Sequence, residues 1–145
     1  MKISTKGRYG LKAMIDLAVY SVNDSVTLKS ISERQNISES YLEQIFSTLR
    51  KNGLVKGKKG SQGGYILGDI MSNIKIGDIL RALEGDLSVV ELSEDTVVVG
   101  IDKCIKNNVW EKLNESINSI VDSITLEDLV YDYNRENGSN FMYYI

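Results

Sequence analysis

The 145-residue sequence contains no histidine and no proline, and its single cysteine is Cys104. Histidine is the usual general base and a common metal ligand, so its absence removes Ser-His-Asp, Cys-His and typical zinc sites. One cysteine cannot form a disulfide within the chain. These absences argue against an enzyme, and we predict no catalytic residues, no metal site and no cofactor.

Long apolar runs are also missing. No stretch approaches the roughly 20 apolar residues that span a bilayer, and the first residues lack the apolar core of a signal peptide. At 42% hydrophobic content the chain is still long enough to bury a core of its own. We therefore expect a cytoplasmic protein that makes no contact with a membrane.

The net charge of −3 is unevenly distributed. Residues 1–67 hold eleven Lys and Arg against five Asp and Glu, whereas residues 68–145 hold six against fifteen. A nucleic acid would bind the first part alone, and the acidic part would oppose non-specific binding. Chance, or self-association of opposite ends, is the alternative explanation.

Residues 27–67 have the pattern of a helix, a turn, a second helix and a basic hairpin. Thr27 is placed to cap the first helix, and Asn36-Ile37-Ser38 forms the turn, with Ser38 capping the second helix. Apolar residues recur in that helix at i, i+3, i+4 and i+7, which predicts a buried stripe. The stripe consists of Leu42, Ile45, Phe46 and Leu49.

The opposite face of the second helix is polar, and a lysine-rich hairpin follows. Glutamine and glutamate on such a face suit adenine and cytosine edges in the major groove, and a cationic hairpin tip suits phosphates. An ordinary solvated face, and lysines that protect a hairpin edge, are the alternatives. A helix followed at once by a basic hairpin is more specific than either part alone, and it predicts a winged helix-turn-helix.

The same periodicity predicts the structure of the flanking segments. We predict a short strand at Lys2-Ile3-Ser4, a helix after Gly10, and a helix from about Lys75 to Leu83 that stops at Gly85. Residues 86–102 read as a loop with at most a short strand. Residues 103–124 form the longest amphipathic helix, and a capping-box pattern at residues 125–128 begins another.

The apolar stripe of the long helix is broad for so small a protein and needs a surface to pack against. It packs either on the chain's own DNA-binding domain, which we call the head, or on a second copy of the chain. We favour a two-fold dimer interface, because a symmetric DNA-binding protein needs two heads. The predicted dimerisation residues are Val109, Trp110, Leu113, Ile117, Ile120, Val121 and Ile124. The fold class is therefore mainly α with a small β wing (α+β). The predicted organisation is a DNA-binding domain (1–85), a linker (86–102), dimerisation helices (103–133) and a C-terminal tail (134–145).

Several motifs together resemble a bacterial family of winged-helix regulators, the one that includes IscR, NsrR and CymR. The resemblance rests on MKISTKGRYG at the start, SYLEQ at residues 40–44, LRKNGLV at residues 49–55, GGY at residues 63–65 and ITLEDL at residues 124–129. It covers nearly the whole chain. It implies a homodimeric transcription factor that binds palindromic double-stranded DNA through its second helix and its wing.

The pattern and the resemblance together predict the DNA contacts. The predicted residues are Arg8, Tyr9, Lys29, Ser38, Ser40, Tyr41, Glu43, Gln44, Ser47, Arg50, Lys51, Lys58, Lys59, Gly60, Gly63 and Gly64.

Iron-sulfur members of this family hold their cluster with three cysteines and a further ligand before the long helix. This chain has Cys104 alone and Asn107 where the IscR pattern has histidine, and one thiol cannot replace four ligands. The chain is thus similar to the cluster-free repressors of cysteine and sulfur metabolism. In those, the resemblance implies control by cysteine synthase, which would bind the C-terminal residues Met142, Tyr143, Tyr144 and Ile145.

Two alternatives stay open at this point. One is a regulator of the same fold for another regulon, such as iron-sulfur assembly or redox stress. The other is an interaction subunit that modulates cysteine synthase without DNA. Cys104, between Lys103 and Lys106 near a predicted helix start, is either a redox-active thiol or a small packing residue.

Overall fold

The computed structural model describes residues 2–60, 63–91 and 97–142, and within these ranges it is mainly helical with one two-stranded sheet. The elements, in chain order, are α1 (Thr5–Tyr20), α2 (Leu28–Gln35), α3 (Glu39–Lys51), β1 (Val55–Gly57), β2 (Tyr65–Leu67), α4 (Ile76–Glu84), α5 (Gly100–Ile105), α6 (Glu111–Ser123) and α7 (Leu126–Met142). A 3₁₀ turn at Met71–Asn73 precedes α4, and a π-helical turn at Lys106–Trp110 joins α5 to α6. The predicted fold class is confirmed.

Helix α1 begins earlier than the sequence indicated. The predicted strand at Lys2-Ile3-Ser4 is wrong, because Ser4 is the N-cap of α1, with its hydroxyl 3.4 Å from the amide nitrogen of Gly7. The helix also runs through Gly7 and Gly10. A Cβ at Gly10 would lie 2.1 Å from the Leu83 side chain of α4, so a glycine there permits a close crossing of the two helices.

The helix-turn-helix forms as predicted. Thr27 accepts a hydrogen bond from the amide of Ser30 at 3.1 Å, and Ser38 accepts one from the amide of Tyr41 at 3.2 Å, so both caps are confirmed. Asn36 ends α2 in the left-handed conformation, with a φ of 55°, which turns the chain toward α3. The two helices pack through Ile31 and the stripe of α3, all fully buried.

The hairpin is antiparallel, with Val55 opposite Leu67 and Gly57 opposite Tyr65. Val26, just before α2, adds a bridge to Tyr65 through backbone hydrogen bonds of 2.9 and 2.8 Å. This bridge fixes the wing to the start of the helix-turn-helix.

The C-terminal helices depart further from the prediction. Helix α4 and its stop at Gly85 (φ 82°) are confirmed, and Thr125 and Asp128 form the predicted reciprocal capping box. The long helical segment, however, starts at Gly100 rather than Lys103, and α7 continues to Met142, so the polar stretch 134–140 is helical.

The predicted linker, 86–102, contains no strand in its described residues, 86–91 and 97–102, and its last three residues belong to α5. Along the described part of the chain, no helix is both long and apolar enough to cross a membrane.

Candidate nucleic-acid interface

Helix α3 has one buried and one exposed side, as its periodicity predicted. Leu42, Ile45, Phe46 and Leu49 are inaccessible to solvent. The opposite side consists of exposed polar residues: Ser40, Glu43, Gln44, Ser47, Arg50 and Lys51. Hydroxyl, carboxylate, amide and cationic groups thus share a 13-residue helix, and the major groove is wide enough to admit such a helix.

Tyr41 has a different position from its neighbours on α3. Its ring is half-buried and meets the ring of Tyr9 edge-on, with centroids 6.0 Å apart. The ammonium group of Lys12 lies 5.8 Å from the centre of the Tyr9 ring. Tyr41 and Tyr9 therefore fix α3 against α1, a role that sequence reasoning had not separated from DNA contact.

The start of α1 lies beside α3. The ammonium group of Lys6 donates to the Thr48 hydroxyl at 3.3 Å, and the exposed Arg8 donates to Thr5 at 3.1 Å. Sequence reasoning selected Arg8 but missed Lys6, because the partner of Lys6 is 42 positions away.

The wing carries its lysines at the surface. Lys58 and Lys59 are exposed, and Gly60 and Gly63 are exposed beside them. Residues 61 and 62, at the tip, lie outside the described part of the chain. Gly63 adopts a φ of 68°, which favours glycine.

Gly64 has a structural role in the wing. A Cβ at this position would lie 2.9 Å from the Ser25 hydroxyl oxygen and 3.1 Å from the Val26 carbonyl oxygen. The glycine therefore allows the wing to pack on the segment at Ser25 and Val26 that bridges to it.

An open cleft of about 380 Å³ separates the wing from the helix-turn-helix. It is lined by Thr27, Leu28, Lys29, Glu39, Gly64 and Tyr65. The exposed Lys29 and the N-termini of α2 and α3 thus meet the base of the wing, and helix N-termini and lysines both favour phosphate oxygens.

The salt bridges of the described residues lie away from this surface. They join Arg34 to Asp16, Arg81 to Asp78 and Asp122, and Arg135 to Asp132. Six basic residues predicted to contact DNA therefore take part in no salt bridge among the described residues: Arg8, Lys29, Arg50, Lys51, Lys58 and Lys59.

A buried carboxylate on α1 ties that helix to the end of α2, and sequence reasoning missed it. Asp16 is 2% exposed and accepts from Arg34 at 2.7 and 2.8 Å and from Gln35 at 2.8 Å. The hydrogen bond to Asp16 raises the pKa of Arg34, whose guanidinium also lies 4.0 Å from the Tyr20 ring centre. An aspartate inside the apolar run of α1 was the available signal.

The stripe on the long helix is divided between two environments. Ile117, Val121 and Ile124 are half-buried against the chain's own core. Val109, Leu113 and Ile120 are 41%, 44% and 60% exposed, and Trp110 is half-buried.

Two more exposed residues extend the stripe toward the linker: Ile105, which the helical spacing already placed on it, and Ile101, which lies before the predicted start of the helix. Residues 101, 105, 109 and 113 are four apart, a spacing that drifts around an ordinary α-helix. The wider π-helical turn offsets that drift and keeps them near one face.

Cys104 is exposed in the last turn of α5, one turn inside the helix rather than at its start. Among the described residues, no group of three or more His, Cys, Asp or Glu side chains could hold a metal ion.

Helix α7 packs into the core through the buried Leu126 and Val130, and the more exposed Tyr133 lies beside Tyr20 of α1. Its hydrogen bond to Tyr20 raises the pKa of Tyr133 above the usual tyrosine value. The predicted partner-binding residues Tyr143, Tyr144 and Ile145, and the side chain of Met142, lie outside the described part.

The chain is similar in sequence to known transcriptional regulators. The family model named Rrf2, described as an iron-dependent transcriptional regulator, matches residues 3–132. The HTH-type transcriptional regulator CymR of Bacillus subtilis strain 168 is 45% identical over 145 residues, which is 100% of both chains. The regulator IscR of Yersinia enterocolitica is 43% identical over 130 residues, covering 90% of this chain and 79% of IscR.

A solved structure described as CymR, the global cysteine regulator of B. subtilis, superposes with a TM-score of 0.76 at 46% identity. The match covers 90% of this chain and 97% of that chain.

Proposed function

The chain belongs to the Rrf2 family of transcriptional regulators, and from this premise we propose that it is a homodimeric repressor of cysteine and sulfur metabolism genes. The observation that carries the proposal is the combination of an exposed polar face on α3 with a lysine wing, in a chain similar over its full length to a cysteine regulator. The relatives named above, CymR and IscR, are transcriptional regulators.

In this proposal α3 lies in the major groove of a palindromic operator. Glu43 accepts from a cytosine amino group and Gln44 pairs with an adenine, since these side chains are exposed and have the required donors and acceptors. Ser38, Ser40 and Ser47 contact base edges or phosphates from the same helix. Arg8, Lys29, Lys58 and Lys59 bind the flanking phosphates.

The homodimer is supported by the exposed part of the long-helix stripe. Val109, Leu113 and Ile120 are large apolar residues in contact with solvent, and an apolar helix face favours a partner surface. A two-fold axis along this face would present two copies of α3 to a palindrome.

The family description refers to iron, and the ligands of this chain do not fit an iron-sulfur cluster. Clusters are held mainly by cysteine thiolates, and the chain has one cysteine and no histidine. We therefore propose a cluster-free regulator.

For the effector we propose cysteine synthase, bound through the C-terminal residues. Ile145 would occupy the site of the amino-acid substrate, and Tyr144 and Tyr143 would pack behind it. The synthase would bind when O-acetylserine is scarce and would stabilise the DNA-binding dimer.

A genome-wide selection of bound DNA fragments tests the proposal. Purified protein is incubated with sheared genomic DNA, with and without cysteine synthase and O-acetylserine. We expect palindromes upstream of cysteine and sulfur-uptake genes, enriched further by the synthase and less in the presence of O-acetylserine. A variant lacking Tyr144 and Ile145 should select the same palindromes but lose the effect of the synthase.

The same experiment separates the alternatives. Specific palindromes elsewhere, indifferent to the synthase, would indicate a regulator of another regulon, such as iron-sulfur assembly or redox stress. If no palindrome is enriched while the synthase still co-purifies with the full chain, the protein is an interaction subunit that acts without DNA.

A further inference from the structure

Arg81 joins the DNA-reading head to the long helix. From α4, its Nη1 donates to Asp122 Oδ1 at 2.9 Å and its Nη2 donates to Asp122 Oδ2 at 2.8 Å. The same Nη2 donates to Asn118 Oδ1 at 2.7 Å. Both acceptors are on α6, so one guanidinium holds two successive turns of that helix in a two-pronged contact, which is more directional than a single charge pair.

Side chains of α6 also pack directly on the α4 backbone beside Arg81, at Gly77. A Cβ at Gly77 would lie 2.1 Å from Asp122 Oδ1 and 3.0 Å from the Val121 side chain. At the base of the two helices, the Ile76 amide donates to the Ile124 carbonyl at 2.9 Å, and the Leu126 amide donates to the Ile74 carbonyl at 2.8 Å. We call this set of contacts, centred on Arg81, Gly77 and Asp122, the α4–α6 joint.

The other side of α4 is connected, through α1, to α3, the proposed recognition helix. Glu84 accepts from the Ser4 amide at 3.0 Å, and Leu83 packs where Gly10 leaves room on α1. Helix α1 then holds α3 through the Lys6–Thr48 hydrogen bond and the Tyr9–Tyr41 ring contact. A continuous set of packed elements therefore runs from α6 to α3.

We propose that Arg81 is a positioning residue that, through the α4–α6 joint, sets the angle of each head to the dimer axis and hence the half-site spacing that the protein accepts. This role rests on the proposed homodimeric DNA reader. In a two-fold dimer the separation of the two recognition helices must match the operator, about one helical turn of 10 to 10.5 base pairs or a multiple of it. Rotation of a head about α6 changes that separation without altering the bases that α3 contacts.

Because the contact is partly exposed, we expect Arg81 to affect the orientation of the head on α6 more than the stability of the fold. The Arg81 and Asp122 side chains are 32% and 35% exposed, and ion pairs in contact with water contribute little to stability. Apolar packing of Ile117 and Val121 holds α6 on the head, but such packing permits sliding and rotation that a bidentate contact resists.

The test uses full-length dimers and synthetic DNA. The half-site is first taken from palindromes that the wild type selects out of random DNA. Duplexes then carry two copies of it at spacings varied one base pair at a time, and binding is measured by fluorescence anisotropy, with a single half-site as reference. The variants are Arg81→Met, Arg81→Lys and Gly77→Ala; Arg135→Met, which removes the exposed contact to Asp132, is the matched control.

We expect the wild type and Arg135→Met to prefer one spacing over its neighbours by about tenfold, equivalent to about 1.4 kcal/mol. Arg81→Met and Gly77→Ala should reduce that preference to about twofold, and Arg81→Lys, which keeps the charge but loses the fork, should lie between. Affinity for the single half-site, and the half-site sequence itself, should not change.

Two results would overturn the role. If folded, dimeric Arg81→Met and Gly77→Ala keep the wild-type spacing preference, Arg81 does not position the heads. If Arg81→Met loses affinity for the single half-site as much as for the palindrome, its effect is on the head and not on spacing. If the wild type selects no palindrome at all, the proposed function itself fails, and this outcome is separate from the other two.

Discussion

At the scale of single residues, two bidentate arginine–aspartate contacts join side chains that are distant in sequence. Asp16 and Arg34 are 18 positions apart, and Arg81 and Asp122 are 41 apart. Each pair joins two helices that periodicity alone leaves unconnected. The stability lost when one partner is removed depends on how deeply the contact is buried.

Asp16→Asn should destabilise the protein by about 1 to 3 kcal/mol, because the neutral amide leaves the Arg34 guanidinium without its carboxylate partner. Asp132→Asn, at an exposed pair with Arg135 separated by 3.7 Å, should change the free energy of unfolding by about 0.5 kcal/mol or less. Denaturant unfolding measures both. Equal effects of the two substitutions would show that the buried carboxylate is not a stabilising contact.

The Arg81–Asp122 contact predicts a pH dependence. The hydrogen bond from Arg81 lowers the pKa of the Asp122 carboxyl below its usual value. A folded-state pKa below that of the unfolded chain means that the contact stabilises the fold above the unfolded pKa, and that this stabilisation is lost as pH falls through the folded one.

Arg81→Met should therefore raise the pKa of Asp122, measured from carboxyl chemical shifts by NMR. The stability difference between wild type and Arg81→Met should shrink on acidification. An unchanged Asp122 titration in the variant would contradict the assignment of the shift to Arg81.

At the scale of elements, the head was predictable because its signals are local. The caps at Thr27 and Ser38 and the stripe of α3 are each defined within about two turns of helix, and all three are confirmed. The wing followed from its glycines and lysines in the same way.

The errors at helix starts have a tertiary cause. Gly7, Gly10 and Gly100 read as interruptions in the sequence, whereas Gly7 and Gly10 are helical residues required by close packing against Glu84 and Leu83. The partners lie more than 70 positions away, so no local pattern identifies them. The division of the long stripe between head and solvent was likewise unpredictable, since it depends on how α6 crosses α4.

The wing and α3 should contribute to DNA binding in different ways. Lys58→Ala and Lys59→Ala should each weaken binding to all sequences and reduce the slope of log affinity against log salt by about 1, because each removes one phosphate contact. Glu43→Ala should instead relax base preference at one operator position with little change in slope.

Salt titrations with specific and scrambled duplexes distinguish these effects. Lys75→Ala, on an exposed lysine at the N-cap of α4, is the matched control and should leave the slope unchanged. A uniform loss for Glu43→Ala would place Glu43 outside base recognition.

At the scale of the whole molecule, the chain separates charge and apolar surface by region. The basic residues are concentrated in the head, and the exposed stripe lies on the acidic second part. DNA and a second copy of the chain would therefore bind different surfaces, so that dimerisation can be disrupted without altering the residues that face DNA.

Leu113→Asp should convert the proposed dimer to a monomer, because it places a charge at the centre of the exposed stripe, where burial of an unpaired carboxylate is costly. Ser119→Asp adds the same charge at an exposed position about 120° around α6, and it should remain dimeric. Sedimentation velocity gives the mass of each variant. The monomer should retain the wild-type affinity for a single half-site but lose its preference for palindromes over single half-sites, whereas a Leu113→Asp protein that stays dimeric would place the two-fold interface on another face.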